Sequence, residues 1–227
     1  MDIVSIIFQT ITILAAFYVA FIIFRKNFEY IGNKLFIISF LLFGLYALVL
    51  LIYEFPISIL INEILLNVSL YLVVIGVLFF VLSMQTFTQG SIFLKEAVAK
   101  LLIITTIIVC VIITLFPYHV QQIIPTIKAD KSIVSLLATG LVALGFMIYN
   151  LIRIFIALNR IDESEKRIKR KIMFLGVAQA IGLMSPVMSV IGNVTKNDLV
   201  HGLMFLFLAI PMVIVGILIS KGKGDTT

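Results

Sequence analysis

Glu63 and Asn67 stand four residues apart near the start of an apolar stretch, so on a helix they share one face. An acid in such a place lines a polar cavity or points to water at the membrane interface. Neutral amides and hydroxyls are more plentiful. Gln9, Thr10 and Thr12 fall in the first apolar stretch, Asn150 in the fifth, and Gln179, Ser185, Ser189 and Asn193 in the sixth. Gln179, Pro186 and Asn193 recur every seven residues and so lie near one helix face, with Gly182 and Ser185 between them. A stripe of this kind serves packing, since small residues let backbones approach and amides bond across a bundle. It equally suits a pocket wall on which Pro186 leaves a helix carbonyl without its usual donor. Glu63, Asn67, Asn150, Gln179 and Pro186 are therefore the candidate ligand-binding residues.

Other chemistry is thin. The single cysteine, Cys110, sits inside an apolar run and has no partner for a disulfide. His119 and His201 are the only histidines, too few to build a metal site with their neighbours. No nucleophile–base pair or metal-ligand spacing is present, so an enzyme ranks last among the readings. No cofactor is expected.

The elements that must position these groups are set by hydropathy. Of the 227 residues, 62% are hydrophobic and 12% charged, and the mean hydropathy is +1.24. Soluble domains carry about 45–50% apolar and about 25% charged residues, so a water-soluble fold of this length is excluded. Seven stretches are long and apolar enough to cross a bilayer, each near the required ~20 residues: 3–24, 35–53, 64–84, 97–116, 132–158, 172–194 and 199–220. The runs are continuous rather than alternating, which selects helices over barrel strands. The first is expected to be a retained span, because its leader holds Asp2 and no base. The expectation is one seven-helix membrane domain with no internal repeat. The stretch from Gln85 to Lys95 is read as a polar break, and only a short tail is read after Ser220.

The net charge of +6 is a topology signal here, and no nucleic-acid partner is implied. One side of the seven spans collects Arg25, Lys26, Lys34, Lys95, Lys100, Arg153, Arg160, Lys166, Arg167, Lys169, Arg170, Lys171, Lys221 and Lys223. The other collects Lys128, Lys131 and Lys196. Basic residues concentrate on the cytoplasmic side, so the N-terminus is expected outside and the C-terminus inside a cell membrane. Arg153, about one turn inside its span, is expected to snorkel to the headgroups.

The inner linker 159–171 is the most charged segment. Asp162, Glu163 and Glu165 each precede a base by four residues, at Lys166, Arg167 and Lys169. Acid before base at this spacing supports a helix by about 0.2–0.5 kcal/mol per pair. The linker is expected to be helical and to extend span five or six. Arg160, Lys166, Arg167, Lys169, Arg170 and Lys171 then form a candidate docking surface for a cytoplasmic protein or anionic lipid.

The seven-span outline resembles several families, but their motifs are missing. Microbial rhodopsins need a lysine in the last span, which 201–220 lacks, and the chain has no tryptophan. SWEET sugar transporters carry prolines in four spans, of which only Pro186 has a counterpart. The seven-span sensor regions of some prokaryotic histidine kinases are similar in size, orientation and the basic loop before span six. Scarce intramembrane charge and one strongly charged linker point to a sensor-like or partner-docking membrane protein. A small transporter of a neutral or weakly polar solute is the alternative. A continuous polar cavity at the midplane would favour transport, and a packed interior under an outer pocket would favour sensing.

Overall fold

The computed structural model describes residues 3–124, 127–162, 165–195 and 198–220. Seven helices are long and apolar enough to cross a membrane. They are α1 (Ile3–Asn27), α2 (Ile31–Tyr53), α3 (Ile59–Gln89), α4 (Ala97–Leu115), α5 (Ile133–Arg160), α6 (Lys166–Thr195) and α7 (Asp198–Ser220). The chain is a polytopic membrane helical bundle. A short 3-10 turn, Ser91–Lys95, precedes α4. Strands β1 (His119–Gln122) and β2 (Lys128–Asp130) pair antiparallel between α4 and α5. The bundle thus has a hairpin end, which also holds the α2–α3 turn, and a linker end between α5 and α6.

Glu163, Lys196, Asn197 and residues 221–227 lie outside the described residues, as do Asp2 and Pro125. So do the side chains of Lys26, Asn193, Asp198 and His201.

Two boundaries differ from the hydropathy reading. Helix α3 starts five residues before Ile64 and continues through Gln85 to Gln89, within the stretch expected to be a polar break. At about 46 Å it is longer than the ~30 Å hydrocarbon core. Its start is fixed by Asn62, which is fully buried. The Asn62 amide donates to the carbonyls of Tyr53 and Phe55 at 2.8 and 3.0 Å and accepts from the Ile57 N–H at 3.2 Å. Ser58 caps the helix by accepting from the Ile61 N–H at 3.2 Å. Its end is fixed by Gly90, whose φ of +83° stops the helix while its N–H still reaches the Thr86 carbonyl at 2.9 Å. At the linker, α5 ends at Arg160 in an extended Ile161, and α6 begins at Lys166. Lys166–Lys171 therefore form the first turns of α6. Asp162 precedes that helix, so its spacing to Lys166 is not helical.

The helices close a ring. α1 packs on α2 and α7, α2 on α3, α3 on α5, α5 on α6, and α6 on α7. α4 lies outside this ring, against α3 and α5. Its side chains Leu101, Ile104, Ile107, Ile108, Val111 and Leu115 are all more than half exposed, as suits a surface solvated by lipid tails.

Lipid tails are as apolar as leucine, so the ring is held by close packing and interhelical hydrogen bonds. Gly76 lets the Phe43 ring approach so closely that an added Cβ would meet it at 2.8 Å. Beside it the Ser39 hydroxyl donates to the Gly76 carbonyl at 2.9 Å. The Ser83 hydroxyl donates to the Gly32 carbonyl at 2.5 Å, and Tyr30 to that of Thr86 at 2.8 Å. Phe36, Phe40, Phe43 and Phe80 fill the space between α2 and α3. On the opposite side, the Thr12 hydroxyl joins α1 to α7 through the Phe205 carbonyl at 2.8 Å.

Candidate functional site

The ring encloses a cavity of about 160 Å³, counted as space open to the centres of water-sized molecules. One water needs only about 10–15 Å³, so the void is large for a helical interior. It reaches the hairpin end at Tyr53, Glu54, Tyr118 and Lys131 and descends to Phe80, Met147, Gly182, Pro211 and Met212. No residue of α4 lines it. The walls are mainly apolar, interrupted by Gln9, Ser69, Thr139, Ser185 and Ser189. Pro186 on α6 and Pro211 on α7 both lie in the wall inside their helices. The floor is tight: an added Cβ on Gly182 would meet Met147 Cε at 3.1 Å and Pro211 Cγ at 3.2 Å.

The hairpin stretch next to the cavity is latched to α3 by the first two candidate residues. The Asn67 amide donates to the Tyr118 carbonyl and accepts from the Tyr118 N–H, both at 2.8 Å. One turn earlier, the Glu63 carboxylate accepts from the Val120 N–H at 2.9 Å and lies 3.3 Å from His119 Nδ1. These contacts hold the Tyr118 ring, 3% exposed, against the cavity. Burial pushes the Tyr118 phenol up to about 12.

Beneath the floor lies a chain of side-chain amides. The Gln179 amide on α6 donates to the Met147 carbonyl on α5 at 3.1 Å. Asn150 donates to Gln179 Oε1 at 3.0 Å. Gln85 on α3 donates in turn to Asn150 Oδ1, and Gln89 to Gln85 Oε1. The Arg153 guanidinium closes the series by donating to Gln89 Oε1. Each amide donates in one direction and accepts from the other. The chain is thus a polarised relay from a cation near the linker end to a carbonyl at the cavity floor. Gln85, Asn150 and Gln179 are fully buried. In a low-dielectric interior such bonds strengthen one another, and an unmade one is costly. Arg153 therefore bonds inward to Gln89.

The five candidate ligand residues fall in three places. Glu63 and Asn67 form the hairpin latch, Asn150 and Gln179 belong to the relay, and Pro186 lines the cavity. Gln179 and Pro186 do share an inward face, as their spacing of seven implies. Gln85, Gln89, Tyr118 and Thr139 were not legible as part of any site. Gln85 and Gln89 lay in an expected loop, and Tyr118 follows Pro117 like an ordinary interfacial aromatic.

At the linker end Arg160, Lys166, Arg167 and Arg170 are exposed, and Lys169 and Lys171 are half-buried. Leu158, Asn159, Lys166, Lys169, Arg170 and Met173 line a shallow basic groove there. The Arg170 guanidinium lies 5.9 Å from the Phe174 ring centre, within cation–π range. Among the described residues, no three His, Cys, Asp or Glu side chains converge on a point where a metal ion would fit. Comparison of the chain with known protein families and with curated proteins finds no match.

Proposed function

We propose that this protein is a non-enzymatic, sensor-like membrane protein that takes a small ligand into the ring and presents its state at the linker. The observation that carries the reading is a cavity that reaches the hairpin end and stops above an amide relay. The lining of the void runs up to Glu54 and Lys131 at the hairpin end, whereas α3, α5 and α6 are tied together below it through Gln85, Asn150 and Gln179. A pocket over a packed interior supports sensing rather than passage. With basic residues on the cytoplasmic side of a cell membrane, the hairpin end faces out and the linker faces in. Met147 lines the floor and its carbonyl ends the relay, so a ligand pressing on the floor bears on the helices that lead to Arg160 and Lys166.

The output surface is the basic set Arg160, Lys166, Arg167, Lys169, Arg170 and Lys171, matched to an acidic protein partner or anionic lipid. Reversing these charges should abolish recovery of a partner in a crosslinking pull-down, and unchanged recovery would sink the docking role. The second reading, a small transporter of a neutral solute, draws on Pro186 and Pro211. Each proline removes a helix hydrogen bond at the cavity wall, where a helix is able to bend. Solute uptake by proteoliposomes holding the purified protein would favour that reading.

A further inference from the structure

Three side chains that line the cavity each carry a buried polar atom with no hydrogen-bond partner among the described residues: Gln9 Oε1, the Tyr118 hydroxyl and Thr139 Oγ1. Gln9 is 2% exposed and Tyr118 3%. Leaving such an atom unpaired costs about 1–3 kcal/mol, so three beside one void call for an occupant. They also lie toward one end of the cavity. Gln9 is the seventh residue of α1 and Thr139 the seventh of α5, two helices that both start at the hairpin end. Both therefore lie about 9 Å down their helices. Tyr118 is held at the same end by Asn67.

Below this collar the lining is mainly apolar, interrupted on α6 by Ser185 and Ser189. From Thr139 to Met147 the cavity runs about 12 Å along α5, past Phe43, Val77, Phe80 and Met212. The charged residues in the lining are Glu54 and Lys131, both at the hairpin end. An ionised ligand body would find no counter-charge at depth, which makes its burial unfavourable.

We propose that the cavity binds a neutral amphiphile with an alcohol head, its hydroxyl at the Gln9–Tyr118–Thr139 collar and its hydrocarbon tail on the Met147–Met212 floor. A hydroxyl both donates and accepts. It therefore serves the two protein hydroxyls and satisfies the Gln9 amide whichever way that amide is turned. A ligand that only accepts, or one with no polar atom, leaves part of the collar unpaired. The inference rests on the sensing pocket proposed above and specifies what it takes.

The test uses the full-length protein in nanodiscs, photolabelled with a diazirine-bearing octanol or with the matching diazirine-bearing octane, and mapped by mass spectrometry. The alcohol should label cavity residues such as Phe80, Met147 and Met212 well above the hydrocarbon. Tyr118→Phe combined with Gln9→Leu should cut alcohol labelling about tenfold, the loss of about 1.4 kcal/mol, and leave hydrocarbon labelling unchanged. Thr139→Val, which keeps the side-chain shape, should lower alcohol labelling in the same direction. A thermal-unfolding midpoint close to that of the parent shows that the variants fold, since beyond unpaired atoms they remove only the long 3.4 Å hydrogen bond from Gln9 Nε2 to Ser5 Oγ. Equal cavity labelling by alcohol and hydrocarbon, as expected if water alone satisfies the collar, would overturn the alcohol head while keeping the pocket. Labelling confined to the lipid-facing side of α4 would overturn the pocket as well.

Discussion

Replacing Asn150 by leucine tests whether the amide relay holds the inner half of the ring. The side chain is fully buried and makes two interhelical hydrogen bonds, accepting from Gln85 and donating to Gln179 at 3.0 Å. Leucine is close in volume, so the change removes the bonds without opening a large cavity. Interhelical bonds of this kind contribute about 0.6 kcal/mol each in membranes and reach about 1.7. Losing two, with Gln85 Nε2 and Gln179 Oε1 left dry, should cost about 1–3 kcal/mol. The useful contrast is the triple variant Gln85→Leu, Asn150→Leu, Gln179→Leu. Removing all three amides leaves no fully buried relay atom unpaired, and the half-buried Gln89 can still turn to water. The triple variant should therefore be more stable than Asn150→Leu alone. Reversible unfolding in mixed micelles, read as a mutant cycle, measures both. A single variant within about 0.3 kcal/mol of the parent, or a triple that loses the sum of its singles, would refute the relay as a coupled unit.

Three further predictions follow from other parts of the bundle. Gly216→Ala sets a Cβ 2.7 Å from Val19 Cγ1 in the α1–α7 contact and should cost about 1–3 kcal/mol, whereas Gly145→Ala meets no atom within 4 Å and should be neutral or stabilising; the same unfolding assay compares them. Asn67→Ala removes both hydrogen bonds that hold Tyr118, and trypsin should then cleave at Lys128 or Lys131 about tenfold faster. Tyr118 is held neutral, with its folded value raised to about 12 from the ordinary value near 10. The stabilisation is complete below pH 10 and is lost as the pH rises towards 12. Stability measured relative to Tyr118→Phe should fall across that window and stay flat below it.

Hydropathy carried the helix number because a bilayer demands about 20 apolar residues per span whatever their neighbours. The ring was not legible, because the helix order depends on which small residues face which rings. Gly76 against Phe43 and Gly216 against Val19 are contacts between distant parts of the chain. The spacing of Glu63 and Asn67 correctly implied one face, and that face meets the hairpin. The polar run at Gln85 read as a break because its side chains are hydrophilic. They stay helical because Asn150 and Arg153 on α5 offer partners. Gln9 was visible as a polar residue in span one. Its empty acceptor was not, since an unmade bond has no sequence signature.

The central claim, a void open at one end over a dry inner half, is tested most directly by sided thiol labelling. In a Cys110→Ser background, Ser189→Cys sits on the cavity wall, and Ser83→Cys replaces a fully buried hydroxyl in the inner half of α3. In oriented vesicles a membrane-impermeant maleimide should reach Ser189→Cys from the side carrying the hairpin only, and should reach Ser83→Cys from neither side. Labelling of Ser189→Cys from both sides, or of Ser83→Cys from the linker side, would contradict the account.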